Sequence, residues 1–76
     1  MPTRNLSRIA GVRKALASGE ARKARKAAGI KVCEIATAIG VSPAAVSNWE
    51  CRRRVPGAAH ALAYARALDA ITRRTA

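Results

Sequence analysis

The stretch VCEIATAIGVSPAAVSNWEC, residues 32–51, decides the fold. Two short apolar-periodic segments meet there at a breaker. Ile35, Ala36 and Ile39 share one helical face, and Val46 and Trp49 share another, three residues apart. Between them Gly40 suits the positive φ of a sharp helix end. Ser42 is placed to cap the next helix, and Pro43 takes its first position, where a missing N–H costs nothing. The stretch therefore reads as a helix from Lys31 or Val32 to Ile39, a turn, and a second helix from Pro43.

Working outward, Gly29 ends an Ala-, Arg- and Lys-rich helix that reaches back to Gly19 and takes Ser18 as its cap. Leu6, Ile9, Val12 and Leu16 recur at spacings of 3, 3 and 4, with Thr3 or Asn5 as a candidate cap. Residues 6–17 are thus a short helix or a mobile arm. On the other side, Arg52-Arg53-Arg54-Val55-Pro56-Gly57 is a basic connection with stop signals. A last helix is expected from Gly57 to Ile71, with Leu62, Tyr64, Ala65, Leu68 and Ile71 inward. The fold class is all-α, a bundle of four to five short helices. Residues 1–18 form a basic arm or short helix, residues 19–72 a helix-turn-helix domain (motif 32–51), and residues 73–76 a tail.

Composition agrees and narrows the function. The 76 residues hold 15 Lys and Arg against 4 Asp and Glu, a net charge of +11. Such an excess points to a polyanion, either nucleic acid or an anionic membrane surface. A membrane-surface helix requires one continuous amphipathic run, which Gly29, Gly40, Pro43 and Pro56 interrupt. The longest stretch free of charge, Ile35 to Trp49, is shorter than the ~20 apolar residues of a spanning helix. No secretory signal is expected, because the first residues lack its apolar run. Half of the residues are hydrophobic, but 19 of these 38 are Ala, there is no Phe, and Trp49 and Tyr64 are single. That supports one small domain with a thin core. Cys33, Cys51 and the single His60 are too few for a zinc site, so the cysteines are expected as reduced thiols and no metal or cofactor is expected. Nor do one His and four scattered carboxylates make a nucleophile and its base, so the chain is not expected to be an enzyme or to take a small-molecule substrate.

Within residues 32–51, Ala36, Gly40, Val41-Ser42, Val46 and Trp49 stand at the fifth, ninth, tenth and eleventh, fifteenth and eighteenth places of a twenty-residue motif. In this the sequence resembles the lambda-repressor/Cro-like helix-turn-helix family. The resemblance extends through Trp49-Glu50, Arg53-Arg54-Val55-Pro56, and Leu62, Ala65 and Leu68, covering roughly residues 19–71. It implies a lambda-repressor-like fold and an ion pair between Arg25 and Glu50. The chain departs from the family's pattern in three places. Val32 stands where a phosphate-contacting Gln is usual, and Pro43 and Ala44 where many relatives place Gln. Cys51-Arg52 replaces Asn-Gly, which lengthens the recognition helix or strains Arg52.

The family's mode of binding implies a sequence-specific regulator of transcription that occupies a promoter or operator through the major groove, Cro-like or repressor-like, in the cytoplasm of a bacterium or phage-infected cell. Pro43, Ala44, Ser47 and Asn48 are the base-reading candidates, with Asn48 able to pair bidentately with adenine. Lys31, Ser42, Arg52, Arg53 and Arg54 are the phosphate-contacting candidates. Arg4 and Arg8 reach a minor groove if residues 1–18 form an arm. The partner is double-stranded DNA with a pseudo-palindromic operator, met by a homodimer through the last helix and the residues after Ile71, or else by a monomer. The alternative is an antitoxin-like or other regulator that uses the same fold to bind a protein partner.

Overall fold

The computed structural model describes the backbone of residues 3–75 and the side chains of residues 4–73. Five helices follow one another in this part of the chain: α1 (Thr3–Ser18), α2 (Glu20–Ala27), α3 (Val32–Ile39), α4 (Pro43–Glu50) and α5 (Ala58–Thr75). No strand occurs among the described residues. Helices α3 and α4 form the expected helix-turn-helix. Gly40 closes α3 at φ 89° and its N–H donates to the Ala36 carbonyl at 2.8 Å. Ser42 then caps α4, its Oγ accepting the Ala45 N–H at 3.2 Å, with Pro43 in the first turn.

The core is small and rich in alanine. Ile9, Val12 and Leu16 from α1 meet Ala21 of α2, Ile35 and Ala36 of α3, Val46 and Trp49 of α4, and Ala61, Tyr64 and Ala65 of α5. Ala36 has no exposed surface, which lets α3 and α4 approach closely. Residues 3–18 are therefore a packed helix: three large side chains find partners on α2 and α5, and that burial outweighs the marginal stability of a lone sixteen-residue helix.

Four local expectations change. Ser18 is the last residue of α1 rather than the cap of α2. Its hydroxyl donates to the Ala15 carbonyl and still accepts the Glu20 N–H at 3.4 Å, but Gly19, at φ 87°, takes the cap position, which joins α1 to α2 with no intervening loop. Leu6 is 54% exposed, because the narrow α1 stripe turns away from the core one turn before Ile9. Ile71 is only half-buried, whereas Leu62 and Leu68 pack against the core as expected. Helix α5 continues to Thr75, so residues 73–75, read as a tail, extend it; no breaker intervenes, and the Thr72 hydroxyl bonds back to the Leu68 carbonyl at 3.0 Å.

Helix α4 ends at Glu50, where the chain reverses at Arg52 with φ 64°, the only non-glycine residue with positive φ among those described. This is the strain expected from placing Arg where relatives carry Gly, and it costs about 1–2 kcal/mol. Two variants isolate it. Arg52→Gly and Arg52→Ala both remove the guanidinium, so they differ only in the backbone cost. We expect R52G to be the more stable by about 1 kcal/mol, a difference of about 4–8 °C in thermal midpoint. Equal midpoints would show that the turn relaxes.

Candidate nucleic-acid interface

One side of α4 is anchored. Val46 is fully buried and the Trp49 ring packs against Tyr64 edge-on, with centroids 6.2 Å apart, and against His60 at 5.7 Å. The opposite side is free: Pro43, Ala44 and Ser47 are exposed and Asn48 is half-buried. The four base-reading candidates thus share the side of α4 that Val46 and Trp49 leave uncovered. Ser42 stands at the near end, committed to its cap, and Lys31 is exposed at the start of α3.

The far end of α4 carries the basic turn. Arg53 and Arg54 donate their backbone N–H groups to the Asn48 carbonyl at 2.9 and 3.3 Å. These bonds fold the chain back over the last turn of α4 and leave both side chains exposed. Arg52 is different, because its Nη1 donates to the Ala17 carbonyl at the end of α1, at 3.1 Å. Arg4 and Arg8 do not lie on an arm. Both belong to the packed helix α1, and the Arg8 guanidinium is held by the Asp69 carboxylate of α5. The helical path replaces the extended one that a minor-groove reach requires.

Beneath the site lies a polar knot. Arg25 of α2 donates through Nε and Nη2 to the two carboxylate oxygens of Glu50 at 2.7 and 2.9 Å, a bidentate pair. Its Nη1 donates to the Ile30 carbonyl at 2.6 Å, and the Tyr64 hydroxyl donates to Glu50 Oε2 at 2.9 Å. Arg25, Glu50 and Tyr64 are all buried, and among the described residues no buried side-chain polar atom lacks a partner. The hydrogen bonds that Arg25 donates to the Glu50 carboxylate hold the Arg25 pKa above its usual value against the opposing effect of burial. Burial first, then the Glu50 charge, pushes the Tyr64 phenol up.

Sequence reasoning missed three participants. Tyr64 belongs to the knot, and the signal was available: a lone Tyr on an inward helix face needs a partner for its hydroxyl. Glu34 accepts the Lys31 N–H at 2.9 Å, so a carboxylate occupies the start of α3 where phosphate was expected. The three-residue interval from Lys31 to Glu34 was its signal. Arg13 donates twice to the Pro56 carbonyl, at 3.1 and 3.2 Å, a contact 43 residues apart that no local pattern announces. Among the described residues no group of three His, Cys, Asp or Glu could hold a metal ion, and no helix is long and apolar enough to cross a membrane. Cys33 and Cys51 are free thiols.

The family model described as helix-turn-helix matches residues 22–74. The chain belongs to that family, the lambda-repressor/Cro-like helix-turn-helix proteins, which are DNA-binding regulators. No curated protein and no solved structure matches it.

Two measurements follow from the knot. Glu50→Ala leaves a buried guanidinium without its counter-charge and should cost about 3–5 kcal/mol in thermal or urea unfolding; an unchanged midpoint would show that the pair adds nothing. The Tyr64 phenol titrates higher in the folded chain than its unfolded value of 10.0. Its stabilising contribution is therefore complete below pH 10 and is lost as pH rises beyond it. Above pH 10 the native chain should lose about 1.4 kcal/mol per pH unit from this group. Tyr64→Phe should unfold with a slope shallower by that amount, and an identical slope would contradict the assignment.

Proposed function

We propose that the protein is a sequence-specific regulator of transcription, Cro-like or repressor-like, that occupies an operator through the major groove. It acts in the cytoplasm of a bacterium or a phage-infected host. The observation that carries the reading is the two-sidedness of α4: Val46 and Trp49 anchor it, Pro43, Ala44 and Ser47 face outward, and Arg53 and Arg54 are exposed at its far end. In this reading Asn48 pairs with an adenine edge, Ser47 bonds to a neighbouring base, and Pro43 and Ala44 pack on thymine methyls. Lys31, Arg53 and Arg54 contact phosphates and fix the register, while Ser42 and Arg52 support the two ends of the helix. A base-reading set this sparse gives modest discrimination per half-site. Two copies on a pseudo-palindrome, about one helical turn apart, multiply it. Because each copy carries +11, pairing is favoured on DNA, where phosphates offset the repulsion.

One observation favours a second reading, a regulator that binds a protein partner. A cleft of about 280 Å³ opens between α1 and α5, floored by Gly11, Val12, Ala15, Ala65 and Leu68.

Selection of bound sites from random duplexes at moderate salt distinguishes the two. The DNA reading expects one enriched motif, two copies per site, and Asn48→Ala relaxing the preference at one position with a loss of about 1–3 kcal/mol. No enrichment at all would remove the sequence-specific reading and leave the cleft as the better guide.

A further inference from the structure

The turn that carries Arg53 and Arg54 is poorly held by packing. Cys51 through Val55 are all exposed, Val55 to 72%, and only Pro56 is buried. An open pocket lies under the turn, lined by Leu16, Trp49, Val55 and Pro56. Apolar contact alone does not fix such a segment. The Asn48 carbonyl holds the backbone of Arg53 and Arg54, and two hydrogen-bonded clamps tie the turn to α1: the Arg13 guanidinium forks onto the Pro56 carbonyl, and the Ala17 carbonyl receives Arg52 Nη1. One clamp is donated from α1 to the turn and the other from the turn to α1, and all four residues line the pocket. They hold although Arg13, Arg52 and Arg54 line the same pocket with like charge. Helix α1 lies wholly outside the segment that the family model matches, residues 22–74, so this support is an addition to the shared domain.

We propose that α1 is a brace for the DNA interface and that Arg13 is a positioning residue: it sets where the turn presents Arg53 and Arg54 to the phosphate backbone without touching DNA itself. The inference rests on the DNA-binding reading above. It makes α1 a determinant of affinity through geometry.

The test uses full-length R13A, R13K, K14A, R53A/R54A and the triple variant R13A/R53A/R54A, each confirmed as helical, on the selected duplex over a salt series. Lys14 is exposed on the same helix, so K14A controls for the loss of one charge. R13A should bind about tenfold more weakly than K14A. Its plot of log affinity against log salt should flatten by more than the ~0.9 that one phosphate contact supplies. R13K, whose amine reaches the same carbonyl, should recover most of the loss. In the R53A/R54A background, R13A should cost no more than K14A does in the unaltered chain. Equal losses for R13A and K14A, or the same R13A loss in both backgrounds, would overturn the proposal. If R53A/R54A itself binds as tightly as the unaltered chain, the phosphate-contact reading of the turn fails instead, and the brace has nothing to position.

Discussion

Everything in this small domain depends on a buried charge that has one place to go. The Arg25 guanidinium is out of water and is satisfied only when the Glu50 carboxylate of α4 and the Ile30 carbonyl are both in reach. Tyr64 of α5 must then supply its hydroxyl to the same carboxylate. Helices α2, α4 and α5 are thereby fixed against one another at their contact. A core of four alanines and seven larger side chains packs less distinctively than one of bulky residues, so alternative packings would differ little in apolar contact. The polar knot separates them, because any other arrangement strands a charge at a cost of several kcal/mol.

The net charge of +11 reads differently once each charge has an address. All four carboxylates are used near backbone or cation: Glu20 in the first turn of α2, Glu34 at the start of α3, Glu50 in the core and Asp69 against Arg8. Four arginines, Arg8, Arg13, Arg25 and Arg52, make contacts within the fold. The exposed cations that remain on the α4 side include Arg53 and Arg54, which a backbone reversal with positive φ at Arg52 carries into place. Strain at Arg52, the Arg13 fork and the buried pair thus act on one helix: one sets its far end, one holds the turn beyond it, and one fixes its depth.

The helix-turn-helix was legible because its signals are local. Gly40, Ser42-Pro43 and the inward spacing of Val46 and Trp49 act within a few residues of the structure they produce. The Arg25–Glu50 pairing was reached through resemblance, since nothing in a separation of 25 residues identifies partners. What stayed hidden is what only tertiary contact decides. The Leu6–Leu16 stripe fits either an arm or a helix until α5 offers its face. Arg8 and Arg13 look like any other basic residues of an acid-free leader until Asp69 and the Pro56 carbonyl meet them, 61 and 43 residues away. The end of α5 escaped for a smaller reason: no breaker follows Ile71, and the stripe used to place the end ran out before the helix did.

The central claim, that the buried pair holds α4 in place, is tested most directly by a double-mutant cycle on Arg25→Met and Glu50→Met, read by urea unfolding. Each single variant strands one charge and should lose about 3–5 kcal/mol, whereas the double variant, with no charge left to strand, should be far more stable than the sum of the two losses allows. Losses that simply add would contradict the account, because they would mean that the two residues do not depend on each other.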